Sequence, residues 1–455
     1  MNKTELKRVN ADRFHYLLET VRDLSYLTVT DEFIINEKNV TNNNSITISN
    51  CEFTSEFQIT GNHHNKKYFF NDCVFHQRFL AVNTNLNGIT FLNCSFNQYF
   101  KSRHLNTNNL TFRFCDFNLI KQLVIEQFHT NNLCFENNEF NRDIHIIPKQ
   151  AKIISLIGGE SKSSLTLSNR GSKNNIDKLF VNFSPSIKTD FILRNLIVQN
   201  FHIKGELKNS SLLINSIQFG VGILYHFYNF SNLSITSLKP LNKNSIIVLK
   251  AANLGKAVVS STNFSKFKKI QIKDCNLLDI TPVNIEWCTS KSLKDENTLN
   301  DRLEIYRQLK LVAVKNLDIP ARLMYYRYEM RTRLKVLNRE KGNFLDKFIL
   351  VTNQLSNNHG LNWIWAFWWL IGSSILWYTL VKFNLNQTVF NSELIGNEIG
   401  RFIKFINPAH RFDRVFEMND STFIGNAILF DSLSRITGAY LIFQFVSAFR
   451  KYTKK

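Results

Sequence analysis

Residues 46–53 read ITISNCEF, and the phrase returns as YFFNDCVF at 68–75, ITFLNCSF at 89–96 and LTFRFCDF at 110–117. A fifth copy, LCFENNEF at 133–140, carries Asn138 in the cysteine slot. Cys51, Cys73, Cys94 and Cys115 are thus 22, 21 and 21 positions apart, each followed two residues later by Phe53, Phe75, Phe96 and Phe117. Phe140 keeps the same phase. So short a period excludes helical-hairpin repeats of about 34 residues. Within each copy apolar residues alternate, as in Ile46 and Ile48 or Ile89 and Phe91, which is the strand period. The spacing predicts one coil of a parallel β-solenoid per repeat, with Cys and Phe stacked in ladders about 4.8 Å apart. Cys is then a small buried hydrophobe and Phe a large one. The Asn-rich stretches TNLNG and LNTNN are expected to be turns between strands.

Four cysteines also raise the question of zinc. Cys51 and Cys115 would sit three coils, about 14 Å, apart, so one ion cannot gather all four. The chain has no CxxC, and neither a metal nor any other cofactor is expected. His63 and His64, in GNHHNK, read as a polar loop. Seven cysteines, an odd number, argue against a complete disulfide framework.

Beyond residue 140 the pattern blurs and returns. LLINSIQF at 212–219 has the strand phase without cysteine. Residues 252–266 read ANLGK AVVSS TNFSK in fives, with Leu254, Val259 and Phe264 in the central slot and Ala252, Ala257 and Thr262 two before. IKDCNLLDI at 272–280 restores Cys275 and Leu277. This phasing resembles the pentapeptide-repeat family, whose motif centres on Leu or Phe with a small residue two earlier. The resemblance implies a right-handed quadrilateral β-helix. Some soluble members are acidic mimics of DNA that act on gyrase; a formal charge of +20 is electrostatically backwards for that role. Residues 141–211 are assigned to coils by continuity alone.

After CTSKSLKDENT the period becomes helical. NDRLEIYRQLKLVAVKN and IPARLMYYRYEMRTRLKVL predict a helical hairpin, with Pro320 suited to a first turn. Residues 297–341 hold 11 Lys/Arg against 5 Asp/Glu, which suits a surface near anionic headgroups. Leu361 to Val381 follows, 21 residues without a charge, long enough to cross about 30 Å of hydrocarbon. Trp363 and Trp365 are expected at one membrane interface and Trp377 with Tyr378 at the other. A second span is read over 427–449, which contains Asp431 and Arg435 at i, i+4 spacing, able to form an intramembrane ion pair. NREKGNFLDK precedes the first span and RKYTKK follows the second, whereas 383–426 holds four Lys/Arg and five Asp/Glu. That bias places both termini in the cytoplasm. The order YRQLK, DIPARLMYYRYEM, Trp-rich span, INPAHRFD and FQFVSAFRKYTKK is similar to the C-terminal half of bacterial membrane-anchored pentapeptide-repeat proteins, which implies the bacterial inner membrane. Some relatives carry a two-span channel module there. Its filter needs a TVGYG-like segment, which is missing here.

The expected fold class is mainly β: a right-handed parallel β-helix followed by a helical hairpin and two transmembrane helices. The expected division is a partly helical cap over 1–40, a β-solenoid over 41–290 and a basic helical hairpin over 297–341. A membrane helix over 361–382, an extracytoplasmic loop over 383–426, a second membrane helix over 427–449 and a basic tail over 450–455 complete it. GxxxxGK[ST], GxGxxG, HExxH and GxSxG are all missing, and MNKTELKRVNADRFHYLLE has no apolar signal core. The expected function is therefore a non-enzymatic membrane protein that presents the solenoid as a scaffold for a protein partner. The bilayer is an expected partner, a homo-oligomer is expected, and nucleic acid is not. The alternative is a pore-forming or gated membrane effector, such as a defence toxin.

Overall fold

The computed structural model describes residues 6–21, 23–36, 44–159, 161, 163–169, 175–184, 188–294, 297–340, 344–385, 387, 395–416 and 425–450. The chain divides into two compact units, Met1–Asp301 and Arg302–Lys455. The first is a parallel β-solenoid of about 12 turns and the second is helical.

Each solenoid strand pairs in parallel with its counterpart one coil later. Leu24 faces Ile48, Ile48 faces Phe70, and the column continues through Phe91, Phe112 and Phe135 to Leu156. It ends at Leu249 against Ile272. In the early coils a bent 15-residue strand (Phe57–Asn71, Arg78–Leu92, Tyr99–Arg113, Gln122–Glu136) alternates with a two-residue strand (Glu52–Phe53, Val74–Phe75, Ser95–Phe96, Asp116–Phe117). Side chains point alternately in and out along a strand, so in-register stacking puts like on like. Phe53, Phe75, Phe96 and Phe117 form a column of parallel rings with centroids 5.0, 4.9 and 5.0 Å apart. Phe57, Phe79 and Phe100 form a second, and Phe70, Phe91 and Phe112 a third. Ring spacing matches the spacing of paired strands. Neighbouring columns meet edge to face, as Phe75 and Phe79 do at 82°, which adds about 0.5–1.5 kcal/mol per pair to area burial.

Cys51, Cys73, Cys94 and Cys115 are buried in one column. The thiols of Cys73 and Cys94 donate to Ile48 O at 3.3 Å and Phe70 O at 3.4 Å, carbonyls one coil back. Burial pushes the Cys115 thiol up to about 12, so it stays protonated and unreactive. Asn138 continues the column. Its Oδ1 accepts from the Cys115 N–H at 2.8 Å and its Nδ2 donates to Phe112 O at 3.1 Å, so a fully buried amide is satisfied. Cys275 follows a left-handed Asp274, as Cys73 follows Asp72, and Leu277 is buried two residues on.

The corner before each cysteine is turned by a residue with positive φ: Asn50, Asp72, Asn93, Phe114 and Asn137 lie between 50° and 52°. Asn and Asp tolerate this region better than other non-glycine residues. At Gly205 (φ 97°) a Cβ would lie 1.8 Å from Phe183 O, and only glycine fits. TNLNG and LNTNN are not turns: both lie inside the long bent strands. Their amides bond along the stack instead, Asn108 to Asn87 at 3.0 Å and Asn131 to Asn108 at 2.7 Å.

Two boundaries differ from expectation. The first strand is Lys7–Val9, which pairs with Leu27–Val29, and Asp23–Ser25 pairs with Thr47–Ser49, so the solenoid starts well before residue 41. The cap proper is α1 (Ala11–Thr20), whose Phe14 packs edge-on against Phe33 at 4.7 Å and Phe53 at 5.8 Å. Residues 1–5, 22 and 37–43 of the expected cap and its join lie outside the described residues. Residues 141–211 are coils: Leu156 faces Val181, which faces Ile203. At the far end, after the short helix α2 (Ser290–Lys294), Asn297 stands in for a further strand. Its Oδ1 accepts from the Ile272 N–H at 2.9 Å and its Nδ2 donates to Ile270 O at 2.9 Å.

Phe114 is the poor fit among the corners, 54% exposed with φ 52°. Phe114→Gly relieves about 1–2 kcal/mol of left-handed strain, part of it offset by unfolded-state entropy. The expected gain of about 0.5–1 kcal/mol is read from urea unfolding of the solenoid signal; a loss of stability would refute the corner argument.

Candidate functional site

Among the described residues, seven helices make up the second unit. α3 (Leu299–Lys315) enters it from the solenoid, and α4 (Ile319–Leu337) begins at Asp318, whose Oδ1 accepts from the Ala321 N–H at 3.0 Å. Buried Glu329 ties the two helices together through Arg307 at 3.3 Å and Lys310 at 2.6 Å. Next come α5 (Phe344–Asn357), α6 (Trp363–Asn384), α7 (Ile395–Ile406), the single turn α8 (Phe412–Val415) and α9 (Gly425–Phe449).

α6 and α9 pack antiparallel: Trp363 meets Phe449 at one end and Trp377 meets Phe430 at the other. Their polarity is reversed from that of a water-soluble helix pair. α6 buries Ala366, Leu370, Ser374 and Tyr378 and exposes Trp365, Trp368, Trp369 and Leu376. α9 buries Ala427, Asp431, Ser434, Gly438 and Gln444 and exposes Leu429, Leu433, Ile436 and Phe443. Small and polar side chains face the partner helix, as they do where the surroundings are lipid. α6 is the one described helix long and apolar enough to cross a membrane. α9 was expected to be a second such helix; at 25 residues it has the length, but Asp431, Arg435, Gln444 and five hydroxyl side chains lower its hydropathy.

Asp431 and Arg435 do pair, the guanidinium reaching Asp431 Oδ2 at 2.7 Å. Asp431 is 3% exposed, and its other oxygen meets His410 Nε2 at 2.7 Å. His410 Nδ1 in turn lies 2.7 Å from Asn407 O, so both ring nitrogens are engaged. His410 belongs to the INPAHRFD stretch of the connection, which thus docks on α9. A second cluster docks α7 on α6. Glu398 accepts from Lys382, from the Tyr378 hydroxyl at 3.1 Å and from Arg401 at 3.5 Å. Tyr378, Val381, Leu385, Phe405, Val415, Phe416 and Ala427 form one apolar core beside these charges.

Trp363 and Trp365 are exposed at the start of α6. Trp377 packs against the core near its end. Tyr378 turns inward onto Glu398 rather than outward as an interface anchor would, because its hydroxyl finds a carboxylate there. Three features escaped the reading of the sequence. Lys382 stands one residue past the uncharged run, Glu398 lies in the connection, and α5 exposes Phe344, Leu345, Phe348 and Leu355 on an apolar face. The i, i+4 spacing of Phe344 and Phe348 was a signal for α5. Of the connection, residues 386, 388–394 and 417–424 lie outside the described residues, as do 451–455 of the basic tail. Among the described residues no group of three or more His, Cys, Asp or Glu could hold a metal. Comparison with protein families, curated proteins and solved structures finds no match.

Burial alone would raise the Glu398 carboxyl, but the bonds from Lys382 and Tyr378 and the charges of Lys382 and Arg401 outweigh it and hold the group below its usual range. A depressed folded value stabilises above the unfolded value of about 4.3 and is lost as pH falls through the lower folded value. Thermal unfolding in detergent is therefore expected to show Glu398→Gln less stable than wild type at pH 7, with the gap closing below about pH 4. A gap independent of pH would contradict this assignment.

Proposed function

We propose that the chain is a non-enzymatic, membrane-anchored scaffold whose solenoid presents a rigid face to a protein partner. In this reading α6 and α9 cross the bacterial inner membrane as a hairpin, both termini lie in the cytoplasm, and the solenoid is a right-handed coil of the pentapeptide-repeat type. The chain self-associates through the hairpin. The observation that carries the reading is the outward apolar surface of α6 and α9, with Trp365, Trp368, Ile436 and Phe443 exposed while Asp431 and Glu398 are buried. A surface of such large side chains is unstable in water, and lipid removes the cost. The antiparallel packing of the pair returns the chain to the side it left. Regular stacking without a catalytic cluster suits recognition by shape, as in other solenoids.

Membranes prepared without detergent and washed in alkaline carbonate are expected to retain the full chain, and mild detergent is expected to release it. Recovery in the soluble fraction overturns the anchor.

A second reading, a gated pore, is favoured by the His410–Asp431–Arg435 cluster, which couples the connection to the spanning pair. Intramembrane ionisable groups commonly mark ion paths. Proteoliposomes carrying the chain would then pass ions, and Asp431→Asn would change that flux. Silent vesicles with wild-type protein leave the anchor as the function.

A further inference from the structure

The end of the hairpin opposite the His410 cluster holds a pocket of about 540 Å³. Its polar wall is Arg322, Tyr326, His359 and Arg450, and its apolar wall is Leu323, Phe443 and Val446. Among the described residues no carboxylate lines it. The one buried carboxylate of α4, Glu329, is engaged by Arg307 and Lys310.

The floor is a closed amide network. Asn357 donates to Gln444 Oε1, Gln444 Nε2 donates to Asn353 Oδ1 at 2.9 Å, and the Tyr440 hydroxyl donates to the same oxygen at 3.0 Å. Above it the chain passes from α5 to α6 through Asn358, His359 and Gly360, all with positive φ of 53°, 57° and 80°. Two consecutive non-glycine residues in that region are held only by strong local constraints. Here they are the His359 N–H on Asn353 O at 3.0 Å, the Gly360 N–H on Asn357 Oδ1 at 2.8 Å and Arg331 on Asn358 Oδ1 at 2.8 Å.

That turn delivers His359 to the pocket wall. The residue is 5% exposed and its Nε2 is buried with no hydrogen-bond partner. Burial, then the charges of Arg331 and Arg327, lower its pKa to about 4. The surroundings are thus electropositive, and the ring is neutral. The Nε atoms of Arg327 and Arg331 are also buried without partners. A buried polar atom left unpaired is costly, and an anion in the pocket supplies an acceptor to His359 Nε2 in its N–H tautomer, beside the guanidinium groups of Arg322 and Arg450 that line the same wall.

We propose that this pocket binds the phosphate of an anionic phospholipid headgroup. The proposal rests on the anchor reading. A lipid rather than a soluble phosphate compound is favoured because Phe443, which lines the pocket, also belongs to the outward apolar face of α9. A headgroup seated between Arg322 and Arg450 would lay its chains along that face. Basic pockets between helices at a membrane surface bind such headgroups.

The test uses the full chain in nanodiscs of phosphatidylcholine with a minor share of phosphatidylglycerol, and reads co-purified lipid by native mass spectrometry. Phosphatidylglycerol is expected to be enriched on the wild type. Arg322→Gln with Arg450→Gln is expected to cut that enrichment about tenfold, the scale of losing charge-assisted hydrogen bonds. Arg333→Gln with Lys335→Gln, the same charge change at exposed positions of α4, is expected to leave it unchanged. Arg322→Lys with Arg450→Lys is expected to restore part of it, which separates lost charge from lost folding. Equal enrichment on wild type and the Gln pair, or equal loss in the α4 control, overturns the site. Displacement of the lipid by millimolar inorganic phosphate overturns the lipid assignment in favour of a soluble phosphate compound. A protein found in membranes yet indifferent to headgroup refutes this proposal alone, whereas one recovered without detergent refutes the anchor itself.

Discussion

The parallel backbone ladder between successive coils governs the first unit. Each coil is too thin to hold a core of its own, and its inward side chains are buried only because the next coil lies in register above it. Register in turn requires that every coil turn its corners at equivalent places. The left-handed residues at Asn50, Asp72, Asn93 and Asn137 do this, and the phenylalanine and cysteine columns are the consequence. A slip by one position would turn Phe53, Phe75 and Phe96 outward together. The columns therefore stabilise the register as much as the register builds the columns.

The helical unit obeys the opposite rule. There many of the large apolar side chains of α6 and α9 lie outside, and small or polar groups such as Ala366, Ser374, Asp431, Ser434 and Gln444 share the interior with Leu370, Val381 and Leu441. Its buried carboxylates Asp431 and Glu398 sit in satisfied sets. Asp431 has two partners and Glu398 has three, because a buried charge with a missing partner is far more costly than the pair is favourable. Both sets join the α6–α9 pair to the connection between its helices, so the connection is docked rather than loosely tethered at α7 and at 407–411.

The early coils could be read from sequence because the same two residue types recur at nearly constant spacing. The middle coils could not. Their columns are filled by Leu156, Val181 and Ile203, residues common to any core, and the partners Leu156 and Val181 stand 25 positions apart. That longer spacing leaves the ladder pairing intact, and a fixed-period search passes over it. TNLNG misled because asparagine suits a turn and equally an amide ladder, and only the neighbouring coils decide between the two. In the helical unit the uncharged run announced α6, and the spacing of Asp431 and Arg435 announced their pairing. Their further partners did not appear, since His410 lies 21 residues from Asp431 and its placement depends on how the connection folds back.

A stack of near-identical coils contains no rule for when to stop. An open last strand is a template for another chain, and a solenoid with bare ends would grow into fibres. Here α1 lies over the first coil through Phe14, and Asn297 answers the open edge of Lys269–Lys273 with a side-chain amide shaped like a peptide group. Two residues thus convert a potentially endless polymer into an object of defined length. Where an end is covered in this way, another chain can meet the solenoid only along its flanks.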